Sequence, residues 1–168
     1  EVVSEFDPFP AQRTDISWGR LPGTPELKGY FATPTPGARN SSSGEGFAPA
    51  VKFSADSRNF TDPFMLKLSS AEPGAVIRYT LNGTVPTNSS PVYADPLTIA
   101  TTVEVRARAF AEGRLPGPVH SEAFIRLSAD PAHQALFTST LPILVMSTLR
   151  TASITESRNT PVQFSLHE

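Results

Sequence analysis

One stretch, Thr102-Val103-Glu104-Val105-Arg106-Ala107-Arg108-Ala109-Phe110, limits the fold of this chain more than any other. Val103, Val105, Ala107 and Ala109 recur at every second position, with Glu104, Arg106 and Arg108 between them. A strand turns successive side chains to opposite faces, so this spacing puts the first set on a core and the second toward solvent. At the helical period the same residues would scatter around the axis. A sheet with one apolar face must be covered by a second layer, so this strand commits its surroundings to a layered β fold.

The residues on either side fit that commitment. Between 49 and 127, short β-prone runs alternate with turn signals. Val51–Ser54, Phe64–Ser69 and Ala75–Thr80 read as strands, with Glu72-Pro73-Gly74 as a turn before the third. Asn82-Gly83 turns the chain, since glycine accepts a positive φ and asparagine caps the turn with its side-chain oxygen. Pro91–Tyr93 and Leu97–Ile99 are short strands, and Tyr79 and Tyr93 are expected to pack near one another. A last strand runs from about His120 to Leu127, with Ala123, Ile125 and Leu127 inward, or Phe124 inward if a bulge shifts the register. Six or seven short strands with no helical segment predict an all-β domain, a sandwich of immunoglobulin or fibronectin type III form. A small barrel is the competing closure; the long loop before Thr102 favours the sandwich.

The flanks differ in character. Residues 1–40 carry scattered apolar residues, among them Phe6, Phe9, Ile16, Trp18, Leu21, Leu27, Tyr30 and Phe31, interrupted repeatedly by proline and glycine. Proline removes a donor and fixes φ, so an irregular, extended arm that docks its aromatics on a neighbour is expected. Residues 41–48 read as a linker, from their Ser/Gly run. In 128–168, Asp130–Ala135 suggests a helical turn, Leu141–Ser147 and Val162–Leu166 read as strands, and Ser157–Pro161 as a turn. Two such strands either pair with each other and pack on the sandwich or open a following domain. The start without Met and the stop at His167-Glu168, directly after a strand-like run, lead us to expect a piece of a longer protein.

Composition removes several classes of chemistry. There is no cysteine, so disulfides, thiolate metal sites and thiol catalysis are out. A net charge of -2 argues against a nucleic-acid surface. No apolar run is long enough to span a membrane as a helix. His120, His133 and His167 lack metal-ligand spacing, and Asp56, Asp62 and Asp95 lack the spacing of a calcium loop. Glu72, Asp95, Glu104 and Glu112 are separated by turns or face solvent, which does not suit a glycosidase carboxylate pair. No nucleophile elbow or phosphate-binding glycine loop occurs. The sequence therefore assigns no catalytic residue, no metal ligand and no cofactor, and the chain is read as a non-enzyme.

Two segments resemble known families. Val76-Ile77-Arg78-Tyr79-Thr80-Leu81-Asn82-Gly83-Thr84-Val85-Pro86-Thr87, then Ser90-Pro91-Val92-Tyr93, resembles the repeat "IYYTLDGSxPTxxSxxY" of the chitobiase/β-hexosaminidase C-terminal-like domain, and Thr102–Ala109 is similar to its "TTVKARA" strand. That resemblance covers about 49–127 and implies an immunoglobulin-like sandwich without hydrolytic activity of its own. Ser17–Pro22 with Phe31–Asn40 resembles the close of a lamin-tail-like domain in bacterial surface proteins. The segment from Leu141 resembles, more weakly, the entry to a spore-coat-H-like kinase domain. Together these imply a slice of a large secreted or cell-surface bacterial protein.

The functional expectation is a non-catalytic spacer or interaction module whose partners are neighbouring domains of the same parent chain. One alternative is a carbohydrate-binding or adhesive module for cell-surface glycans, with Trp18, Tyr30, Phe31 and Tyr93 as contact residues for a ligand or partner. Trp18, the largest apolar side chain of the arm, is read first as the anchor of a docked arm. Another alternative is a subunit of a surface assembly, with Leu141–Met146 added to a protein partner's sheet. Asn82 and Gly83 are assigned a structural turn.

Overall fold

A computed structural model describes residues 10–40 and 44–127, and two further strands at Ile143–Ser147 and Gln163–His167. Twelve strands occur among the described residues: β1 (Ser17–Leu21), β2 (Thr24–Phe31), β3 (Lys52–Phe53), β4 (Arg58–Phe60), β5 (Phe64–Leu66), β6 (Leu68–Ser69), β7 (Val76–Thr80), β8 (Leu97–Ile99), β9 (Val103–Phe110), β10 (His120–Arg126), β11 (Ile143–Ser147) and β12 (Gln163–His167).

The main sheet has the order β4-β10-β9-β7. β9 pairs antiparallel with β7 and β10, and β4 joins β10 in parallel. The alternation in β9 is realised: Val105, Ala107 and Ala109 have no exposed surface, and Val103 is half-buried against them. The opposing layer is built from β3 with β6 and β5 with β8. Leu66, Leu68, Ile99 and Val51 fill the space from that side. Three aromatic rings tie the layers together, with Phe64 edge-on to Phe60 and to Phe124, each pair at 5.3 Å between centroids. The result is the all-β immunoglobulin-like sandwich expected from the sequence.

Several local expectations are corrected. The run Phe64–Ser69 is two strands, broken at Lys67, where the amide donates to the Ser54 hydroxyl rather than to a carbonyl. Residues 91–93 form a single bridge, Arg78 to Val92, along the edge of β7. In β10, Phe124 faces the core without any bulge, because it stands opposite Val103. Ala123 and Ile125 lie on the other face and are covered there. β4 had no sequence signal: Arg58-Asn59-Phe60 is too short to show a period.

The arm also differs from its reading. β1 and β2 form a hairpin, turned at Pro22-Gly23 with Gly23 at φ 86°. Proline and glycine here shape a turn and leave room for close approach instead of preventing pairing. The segment after the arm extends the ladder: Tyr30 and Gly44 exchange both backbone hydrogen bonds, at 2.9 and 3.0 Å. From there the chain runs parallel to the approach of β10. The Leu115 amide donates to Gly46, the Ala48 amide donates to Leu115, and Phe47 bridges Leu115. Part of the expected linker is therefore paired backbone, although 41–43 lie outside the described residues.

At the C-terminal end, β11 and β12 pair antiparallel with each other, as one of the two expected arrangements has it. β12 passes beside β4. The helical turn expected at 130–135 and the turn at 157–161 lie outside the described residues.

Candidate functional site

The four aromatic contact residues separate in space. Trp18 and Tyr30 are cross-strand partners in the hairpin, with ring centroids 4.7 Å apart. Tyr30 stacks in turn on Phe47 at 4.8 Å, and the Arg13 guanidinium lies 3.8 Å over the far ring. Trp18 and Tyr30 thus join arm to sandwich and do not form an open platform. The Trp18 indole nitrogen is buried with no partner among the described residues. Phe31 is 2% exposed, so it offers no ring face to a ligand. Tyr93 is half-buried against the main core, its amide donating to Ile77 beside β7.

The turn after β7 is held by its own side chains. Asn82 Oδ1 accepts from the Thr84 amide at 3.1 Å and from the Thr84 hydroxyl at 2.7 Å. Gly83 sits at φ 73°, and the Thr80 hydroxyl donates to the Thr84 carbonyl. These bonds within the turn account for Asn82-Gly83 without a ligand.

A second polar cluster escaped sequence reasoning. On the inward face of β10, His120 and Glu122 follow each other at strand spacing and close the open end of the core. Glu122 accepts from the amide and hydroxyl of Ser57, and the Ser57 oxygen accepts from the Ala123 amide. His120 Nε2 lies 2.9 Å from Glu122 and Nδ1 lies 2.7 Å from the Val51 carbonyl, while its ring stacks on Phe53. Ser, Glu and His are present, but Ser57 and His120 meet only through Glu122. A nucleophile needs its base in direct contact, so this cluster serves as a clasp between β10 and the 51–57 segment. The one available signal was His120-x-Glu122, two polar residues at inward positions of a strand.

The outer face of β7 and β9 carries an arrangement of a different kind. Arg78 and Arg108 stand directly opposite one another in the ladder. Arg78 donates to the Ser90 carbonyl at 2.6 Å, and Arg108 to the Gly117 carbonyl at 2.6 Å. Neither has a carboxylate partner among the described residues, unlike Arg106 with Glu104 and Arg114 with Glu72. Burial pulls the Arg108 pKa below the ordinary guanidinium value. Next to the pair, a cavity of about 330 Å³ opens over the cross-strand partners Val76 and Phe110, rimmed by Arg78, Asn88, Glu112 and Arg114. Two further hollows adjoin it through Arg114 and Val76.

Among the described residues no three His, Asp or Glu side chains are grouped to hold a metal, so Asp56, Asp62 and Asp95 are not brought together. No helix among them is long and apolar enough to cross a membrane. Comparison with curated proteins and with solved structures found no significant match. Residues 55–121, which hold β4 to β9 and the first two residues of β10, match the family model of the chitobiase/beta-hexosaminidase C-terminal domain, a non-catalytic immunoglobulin-like module.

Proposed function

We propose that the chain is a non-catalytic connecting module of a secreted or cell-surface multidomain protein, in which residues 49–127 form a sandwich that fixes the position of its neighbours. In this reading residues 1–40 belong to the end of a preceding lamin-tail-like domain, 41–48 join it to the sandwich, and 128–168 lead into the next domain. The observation that carries it is the paired backbone from β2 through Gly44 to Leu115, with Trp18, Tyr30, Phe47 and Arg13 stacked over the same junction. A flexible tether would leave those amides to water. A continuous ladder instead sets the angle between arm and sandwich, which is what a spacer of defined geometry requires.

Amide hydrogen exchange on the intact chain tests this. Protection at Tyr30, Gly44 and Leu115 comparable to that in β9 is expected. Fast exchange throughout 10–36, with β9 protected, would reduce the arm to a loose tether and remove the spacer role.

A further inference from the structure

We infer that the clasp between β10 and the 51–57 segment is operated by a proton: it is closed when His120 is an imidazolium and loosened when the ring gives that proton up. This goes beyond the connecting role and does not depend on it.

Donors and acceptors in the clasp balance only in the protonated state. The Val51 carbonyl can only accept, and it lies 2.7 Å from His120 Nδ1, so Nδ1 carries a proton. Glu122 Oε2 already accepts from the Ser57 amide and the Ser57 hydroxyl, whose own oxygen takes the Ala123 amide. Glu122 Oε1 faces His120 Nε2 at 2.9 Å, and a contact that short needs a proton between the two atoms. A carboxylic acid is a stronger acid than an imidazolium, so that proton rests on the ring. Both ring nitrogens then donate. A neutral ring has one N–H and would set a bare lone pair against one of the two oxygens.

Among the described residues, Glu122 is the charged group in contact with the ring. Lys52 is exposed and alternates with Phe53, whose ring stacks on His120, so it points away. Asp56 is exposed, and the Arg58 guanidinium lies over Phe64. Arg106 and Arg108 flank Ala107, the cross-strand partner of His120, and stand on the opposite face of β9. An unfolded chain loses its histidine protons around about pH 6.5, whereas the closed clasp keeps this one, so folding takes up a proton and weakens as pH rises. The stabilisation is full on the acid side of that range and lost on the alkaline side. Val51 follows closely on Ala48, which is paired with Leu115, so the clasp moors the same run of chain that carries the arm.

The test is urea unfolding of the full chain at about pH 5.5 and about pH 8, on either side of the histidine range. The ratio of folded to unfolded chain should fall about three- to tenfold across that interval, as suits one charge-assisted contact at a half-exposed ring. His120→Gln keeps one donor and cannot titrate, so it should lose that fall. A second measurement on the parent chain decides the matter if the variant fails to fold. At about pH 5.5, ¹⁵N–¹H spectra should show slowly exchanging protons on both Nδ1 and Nε2 of His120. An equal fall in His120→Gln would overturn the proposal. So would a parent chain whose stability does not fall, or fewer than two bound ring protons on His120.

Discussion

Gly44 is the point at which the junction between arm and sandwich can be broken without touching the core. A Cβ placed there would lie 2.5 Å from the Leu115 nitrogen, 3.0 Å from the Arg114 carbonyl carbon and 3.1 Å from the Gly46 oxygen, all backbone atoms. The expected effect of Gly44→Ala comes from this close approach. Backbone cannot swing aside as a long side chain can, so the Gly44 strand must shift away from Leu115. That shift strains or breaks the two bonds exchanged with Tyr30. Two backbone hydrogen bonds are worth about 2 kcal/mol net, and overpacking adds about 1–3 kcal/mol. At about 1.4 kcal/mol per decade, even the lower figure raises the undocked population about 30-fold. The chain has one tryptophan, Trp18, stacked at this junction, so its emission reports docking directly. Gly44→Ala should red-shift that emission and speed exchange at the Tyr30 amide, while exchange at Ala107 in β9 stays slow. Gly46→Ala is the control, because its Cβ would meet only the Arg114 guanidinium, at 3.2 Å, on a flexible side chain. Unchanged Tyr30 exchange and Trp18 emission in Gly44→Ala, with Gly46→Ala behaving the same way, would refute the argument.

Further outcomes follow from the core and the turns. Phe124→Ala removes a fully buried ring between the layers and should cost about 3–5 kcal/mol, read from the denaturant midpoint. Gly83→Ala forces a side chain into φ 73° and should cost about 1–2 kcal/mol by thermal melting; an unchanged melt would mean the turn relaxes freely. Glu122→Ala removes the acceptor of the Ser57 amide and hydroxyl and should cost about 1–3 kcal/mol with the m-value unchanged. Gly117→Ala would set a Cβ 2.7 Å from the carbonyls of Ala48 and Pro49 and should destabilise the sandwich itself, by about 1–3 kcal/mol in the same assay.

The sandwich could be read from the sequence because one central strand carries a two-residue period long enough to be unambiguous. β9 shows it over eight residues, and β7 beside it is a β-prone run set between two turn signals. β4 could not be read, because three residues hold no period and its pairing with β10 is parallel and distant in sequence. The hairpin in the arm was hidden by a rule that holds in the middle of sheets: proline and glycine break central strands. In a two-stranded ribbon, Pro22-Gly23 is the turn, and Gly29 is what lets Gly44 come close, since a Cβ there would lie 3.1 Å from the Gly44 oxygen. The same blindness covers the candidate site. Arg78 and Arg108 each look like an ordinary outward charge, and only the register of β7 on β9 shows that they hold paired positions in the ladder. With Ala123 and Ile125 expected inward, His120 and Glu122 read as solvent-facing, and what they hold, the 51–57 segment, lies more than sixty residues earlier in the chain.

The parallel course of residues 46–48 beside 113–117, repeated where β4 meets β10, has a mechanical meaning. In side-by-side parallel segments, tension applied at the start of the first and the end of the second drags them past one another lengthwise. Their hydrogen bonds lie across that direction, so many must fail together and none can be peeled off singly. A link stretched between two anchored neighbours would resist extension at this seam, whereas the hairpin of β1 and β2, loaded from its open end, would unzip one rung at a time.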